Sequence, residues 1–194
     1  MLTNIVPRLT NKDIGLSRQQ LTGPHILNLL AYQALVPLLC KHCCQTIEEA
    51  VQEPSSAEEL VEIVELLQTK FQVPVDGVRF RRVGGCHHCK GRGAIGRRLV
   101  AELFQPDRTW LELVRQGDDH AALAHYRSLS DGDLCSDDMT GKTVFEHALL
   151  RAIRGEIDPR ECAEFETFDR FELSGPTVAH QRARGTSPVL RVAG

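Results

Sequence analysis

The sequence predicts an α+β fold, mostly α, in which a small cysteine-rich module interrupts a helical chain. Three observations predict it. Two Cys-x-x-Cys pairs, Cys40–Cys43 and Cys86–Cys89, stand 42 residues apart. The stretches flanking the second pair alternate apolar and basic residues, as half-exposed strands do. Much of the remaining chain carries apolar residues at helical spacing. The totals suit a globular protein: 194 residues, 42% hydrophobic, 25% charged, net charge −3. That balance argues against the whole chain being a nucleic-acid binder. No apolar run approaches the roughly 20 residues of a membrane span. Residues 1–8 lack the basic start and apolar core of a secretory signal, so a cytoplasmic location is expected.

Residues 1–22 contribute little core. Leu2–Ile5 suits a short strand, and 8–20 has only Leu9, Ile14 and Leu16 as apolar anchors. Residues 24–39 predict a helix. Pro24 fits a first turn, and Ile26, Leu27, Leu29, Leu30, Ala34, Leu35 and Leu38 cover more than one stripe, so this helix wants burial on most sides. Pro37 is expected to end or kink it. Residues 54–71 predict an amphipathic helix, capped by Ser55 or Ser56 with Glu58 or Glu59, its glutamates solvated. Residues 76–83 predict a strand with Val78 and Phe80 inward and Arg79 and Arg81 outward. Residues 97–104 predict its partner. The second cysteine pair would then lie in a hairpin and the first at a helix end, a zinc-ribbon-like layout.

That hairpin is basic, through Arg79, Arg81, Arg82, Lys90, Arg92, Arg97 and Arg98. Such cations can meet a phosphate, the acidic helix at 58–65 or an acidic neighbouring subunit. Phe80 is the one aromatic among them, which argues against a base-stacking surface and against nucleic acid as partner. After Pro106, helices are expected over 107–116, 118–129 and 143–154, the last ended by Gly155. A short helix from Asp158-Pro159 to about Phe168 follows, then a disordered tail over 174–194.

Each cysteine pair sets two sulfurs on one tight turn. Two such turns together offer four thiolates in a tetrahedron, the arrangement zinc takes in structural sites. Such a closed shell leaves no position for substrate. Cys40, Cys43, Cys86 and Cys89 are the candidate ligands. Cys44 can replace Cys43, and His42, His87 or His88 can substitute, although these histidines are expected as exposed turn residues. A redox site would need a βαβ pattern, which is missing. Seven cysteines, an odd number, and no signal peptide argue against a disulfide framework. Gly91 and Gly93 let the chain turn sharply beside the sulfurs.

Gly141-Lys142-Thr143 matches only the end of a phosphate-binding loop. The position five residues before Gly141 is Ser136, not glycine, and Asp137-Asp138 would repel phosphate. Thr143 is expected instead to cap a helix with Glu146. No nucleophile, base and oxyanion set can be assembled. His120, His125 and His147 are expected in packing or at the surface, and Cys135 and Cys162 are isolated.

The order of these pieces is an apolar segment, Cys-x-x-Cys, an acidic helix, Gly85-Cys86-x-x-Cys89-x-Gly91-x-Gly93-x-x-Gly96-Arg97, Glu102-Leu103-Phe104 and the segment Met139 to Ile157. It resembles the C-terminal part of the ATPases that drive type II secretion and type IV pilus assembly. The resemblance implies that 1–39 is the edge of a RecA-like ATPase domain, with Thr3-Asn4 ending its histidine box and Gln33–Val36 standing before the first cysteines. It makes 40–104 the tetracysteine zinc-binding module, with Cys40, Cys43, Cys86 and Cys89 as ligands, 105–170 the C-terminal helical part of that domain, and 171–194 a tail. The family's phosphate-binding loop and acidic boxes are absent from this chain, which therefore resembles a truncated member that should not hydrolyse ATP alone. ATP is implied as a cofactor only if the upstream core is supplied. The implied partners are inner-membrane platform proteins and a hexamer with full-length ATPase, at the cytoplasmic face of the inner membrane. The alternative is a stand-alone zinc-binding module for protein interaction without enzymatic activity. Residues 86–93 also match one repeat of a chaperone-type cysteine-rich domain, but that domain needs four.

Overall fold

A computed structural model describes residues 5–52 and 57–173. In chain order the elements are α1 (Ile5–Leu9), α2 (Arg18–Leu21), β1 (Leu30–Leu39), α3 (Ile47–Ala50), α4 (Ala57–Thr69), β2 (Ala94–Phe104), α5 (Arg108–Gln116), α6 (Asp119–Ser128), α7 (Val144–Ile153) and a 3-10 helix (Pro159–Glu164). The molecule is mixed helix and strand, built around one antiparallel ribbon. β1 and β2 pair from Leu30↔Phe104 to Pro37↔Arg97, with an irregularity between Pro37 and Leu39.

The ribbon overturns the helix expected over 24–39. Leu30 and Val36 are buried and Tyr32 and Ala34 half-buried, while Ala31, Gln33 and Leu35 between them are exposed. That is a period of two. The run is so uniformly apolar that its sequence fits both periods, and the 11-residue partner strand decides between them. Pro37 is tolerated because β1 has a ladder on one side only, so its missing N–H leaves no gap in a central strand. The strand pairing expected between 76–83 and 97–104 is also overturned. Residues 76–83 make only an isolated bridge, Phe80 with Gln45, and β2 takes β1 as partner. Their inward and outward pattern survives in part: Val78 and Phe80 are buried and Arg81 is exposed, but Arg79 is half-buried. Ile5 opens a helix rather than closing a strand. Leu2–Asn4, the candidate caps Ser55 and Ser56, and the tail over 174–194 lie outside the described residues.

The later helices form where their apolar spacing predicts, each opened by a side-chain cap. Asp107 accepts the Trp110 N–H at 2.8 Å and Asp118 the Ala121 N–H at 2.9 Å, opening α5 and α6. Thr143 and Glu146 form a reciprocal capping box at the start of α7. The helix expected from 158 to 168 is a shorter 3-10 turn. Glu102 of β2 is buried and accepts the Val144 N–H at 2.7 Å, placing a carboxylate at the α7 N-terminus.

Two cores result. The larger joins α4, α7 and the inner ribbon face through Leu60, Leu67, Phe80, Val100, Phe145 and Leu149. Phe71, Phe168 and Phe171 close it, so Phe171 is buried at the head of the expected tail. The smaller gathers Val6, Leu30, Phe104, Trp110, Val114 and Tyr126 at the other end of the ribbon. The glutamates of α4 are exposed, as their spacing predicts.

Gly141-Lys142-Thr143 serves this packing. The Lys142 side chain is 2% exposed, and its Nζ lies 2.8 Å from an Asp131 oxygen and donates to the Asp133 carbonyl at 2.6 Å. Gly141 has φ 68°, and a Cβ there would lie 2.7 Å from the Tyr126 carbonyl oxygen. The glycine therefore permits a close chain crossing, and the lysine is held by a carboxylate.

His147 joins α7 to β2. Its Nε2 accepts from the Arg151 guanidinium at 3.2 Å, and its Nδ1 lies 3.2 Å from the Ala101 carbonyl oxygen. Burial, aided by Arg151 and Arg98, holds its pKa below the ordinary value of 6.5, against the opposing pull of the Ala101 backbone and Glu156. The unfolded chain therefore takes up the proton first as pH falls. This contribution to stability is complete above about pH 6.5 and is lost as pH drops below it toward the lowered value. In urea unfolding at pH 7.5 and 5.5, His147→Gln is expected to lose less stability than the wild type. Equal losses would remove His147 from the pH response.

Candidate metal centre

The ribbon delivers both cysteine pairs to one place. Cys40 directly follows β1, and the second pair ends four residues before β2, so antiparallel pairing brings the two turns face to face. The first pair thus sits at a strand end, not the expected helix end. The Cys40 N–H donates to the Gly93 carbonyl at 3.0 Å, locking one turn to the other. In the first turn the Cys43 and Cys44 N–H groups donate to the Cys40 carbonyl, at 3.1 and 2.9 Å. In the second, the Gly91 N–H donates to the Cys86 carbonyl at 3.0 Å.

The four sulfurs of Cys40, Cys43, Cys86 and Cys89 all lie within 4.8 Å of one another. Three of their separations, Cys40–Cys86, Cys43–Cys89 and Cys86–Cys89, are each 3.9 Å. Cys40 and Cys89 are fully buried, Cys43 is buried and Cys86 half-buried. This is the one group of its kind among the described residues, and it can hold a metal ion. Cys44, half-buried, stays outside it. His42, His87 and His88 are exposed and also stay outside. They pack on one another instead, His42 stacked on His88 with centroids 3.8 Å apart and His87 tilted against His88 at 3.9 Å. Nothing in the sequence pattern announces that stack.

The backbone prepares the site for anionic sulfur. The Cys86 and Gly93 N–H groups both donate to the Cys89 Sγ at 3.1 Å. Led by the Cys86 amide, these donors pull the Cys89 thiol down to about 6 against the cost of burial. Burial first, then hydrogen bonds to the other three cysteines, pushes Cys43 up. A metal replaces the protons of such a cluster, since a coordinating thiol is deprotonated.

Gly85, not Gly91, is the tightest backbone position. Its φ is 53°, and a Cβ there would lie 2.6 Å from the Cys89 sulfur and 2.5 Å from the Gly93 nitrogen. Gly85→Ala is expected to weaken metal binding by about tenfold or more, as loss of a supporting contact does, while both cores stay folded. A competitive chelator titration reads the affinity, and unchanged affinity would show that the turn has room.

The remaining candidates do not gather. Cys162 is fully buried and alone, Cys135 is exposed, and His125 pairs with Asp107 at 2.7 Å. No helix among the described residues is long and apolar enough to cross a membrane. A search of curated proteins finds no match to the chain. A family model described as type II/IV secretion system protein matches residues 4–149, a span that includes both cysteine pairs, the whole ribbon and the first half of α7. The chain belongs to the type II/IV secretion system protein family.

Proposed function

We propose that this chain is the zinc-stapled C-terminal portion of a type II secretion or type IV pilus assembly ATPase, contributing to assembly of the motor or its coupling to the inner-membrane platform. The observation that carries the reading is the coincidence of the family match with four converging cysteines. Zinc fits the donor set. Zn–S bonds of about 2.3 Å imply tetrahedron edges of about 3.8 Å, and three of the six sulfur separations are 3.9 Å, with all within 4.8 Å. Four protein ligands close the shell, so Cys40, Cys43, Cys86 and Cys89 serve structure. The staple fastens the end of β1 to the start of β2 and makes the ribbon a rigid arm.

The outer ribbon face supports placing residues 1–39 at the edge of a larger RecA-like ATPase domain. Leu35 and its cross-strand partner Leu99 are 55% and 48% exposed, and Leu103 is 58% exposed. Paired leucines in water are what a sheet surface presents when the layer that covers it is absent. Residues 40–104 then form the zinc module and 105–170 the helical part of the same domain. ATP would be bound by the core upstream in the family, and Lys142, held by Asp131, takes no part.

Elemental analysis of the purified, reduced protein tests the reading. About one zinc per chain, lost in Cys86→Ser, is expected. No metal in either sample would remove the staple. ATP turnover is expected from neither; turnover abolished by Lys142→Ala would overturn the assignment of that lysine. The genomic sequence just upstream of Met1 separates the motor reading, which requires a phosphate-binding loop there in some frame, from a stand-alone zinc module.

A further inference from the structure

Three histidines are chain neighbours of the cysteine ligands without joining them. His42 precedes Cys43, and His87 and His88 lie between Cys86 and Cys89. The backbone bond from the Cys40 N–H to the Gly93 carbonyl, at 3.0 Å, holds the two turns together, so imidazoles from opposite turns meet at the surface. The His42 and His88 ring centres lie 3.8 Å apart with an interplanar angle of 18°, and His87 lies 3.9 Å from His88 at 37°. All three are exposed. Among the described residues their rings form no hydrogen bond or ion pair with the protein. His125 and His147, by contrast, are committed, one to Asp107 and the other to Ala101 and Arg151.

An imidazole nitrogen without a protein partner can ligate a metal, and imidazole suits ions such as zinc, nickel and copper. Three protein ligands with water in the fourth position is a set that zinc accepts in its open sites. Around a tetrahedral ion with Zn–N bonds of about 2.0–2.1 Å, the ring centres stand about 5 Å apart. The present separations of 3.8 and 3.9 Å open to that spacing by a splay of about 1 Å. Exposed side chains make such a change by rotation about χ1 and χ2. Lys41, Lys90 and Arg92 are exposed close by in the chain and oppose a cation. The cysteine cluster offsets them, because four thiolates on one Zn²⁺ leave about two net negative charges.

We propose that His42, His87 and His88 form a second metal site, outside the tetrathiolate cluster, for a divalent ion of zinc's class. It rests on the zinc reading of the cysteines, which supplies both the folded turns and the negative charge. The cysteine site is closed and structural, whereas the histidine site keeps an open position and exchanges its ion.

Zinc titration of the reduced full chain tests the site, with calorimetry for the count and X-ray absorption for the ligands. At one zinc per chain the absorption should show sulfur alone, at about 2.3 Å, and a second equivalent should add nitrogen at about 2.0–2.1 Å. A mild chelator should remove the second ion and leave the first. His42→Phe with His87→Phe and His88→Phe keeps the aromatic faces and removes every ring nitrogen. This triple variant should bind the first equivalent unchanged and lose the second. His88→Phe alone should weaken the second by about tenfold or more, since even loss of a supporting contact costs that much. The first equivalent, measured on every sample, reports that the turns are folded. A wild type that takes one zinc only, a second ion without nitrogen around it, or a second equivalent that survives the triple variant would overturn this site alone. A chain that binds no zinc at all would overturn the staple with it.

Discussion

Stripping the tetrathiolate site with a strong chelator is expected to lower the unfolding temperature by about 10 °C. A ligand that binds only the folded state stabilises it by roughly 4 kcal/mol at a thousand times its dissociation constant. In a domain of this size each kcal/mol moves the midpoint by about 2–4 °C. The site is placed to transmit that energy. Its four cysteines belong to turns at the joined ends of β1 and β2, and the inner face of that ribbon supplies Val36 and Val100 to the larger core. Without metal, the two turns are held together by weak sulfur hydrogen bonds, the Cys40–Gly93 backbone bond and the His42–His88 stack. Scanning calorimetry with and without chelator reads the effect. Cys86→Ser should behave as the stripped protein and ignore the chelator. A transition that chelator leaves unchanged would deny the cysteines any structural metal.

Phe145→Ala is expected to cost about 3–5 kcal/mol, the range for deleting a buried aromatic ring. Phe145 is 1% exposed and stands at the centre of an aromatic group. Its ring centroid lies 4.4 Å from that of Phe171, 5.4 Å from Phe168 and 6.2 Å from Phe71. These rings come from α7, from the segment after the 3-10 helix and from the turn just after α4, so one substitution opens a cavity between three parts of the chain. Against a typical total stability of about 5–15 kcal/mol, the variant should be marginal at 37 °C. Phe145→Leu, which keeps most of the volume, should cost under half as much. Metal content should be unchanged in both, because Phe145 packs outside the cysteine cluster. Urea unfolding gives the difference, and a cost below about 1 kcal/mol would mean that the ring is not packed as described.

Local chemistry was readable wherever its cause was local. The cap at Thr143 announces α7, because its side chain satisfies an N–H only three residues away, and the helical spacing of apolar residues announces α5 and α6. The exposed glutamates of α4 follow from their helical spacing. The two Cys-x-x-Cys turns identify the four cysteines that come together. Pairing across distance was not readable. Residues 30–39 are apolar enough for a buried helix or a strand, and only β2, more than fifty residues on, makes them a strand. For the same reason residues 76–83 lost their expected partner: they alternate correctly, but β1 presents a longer apolar face to β2. The buried Glu102 that caps α7, the Gly85 approach to the Cys89 sulfur, the packing of three histidines and the arrival of Phe171 in the core all depend on chain segments meeting in space. Sequence alone determined which caps and turns form and which four cysteines converge. The tertiary structure decided which strands pair, because a ladder is a contact between distant segments and leaves no period of its own in either one.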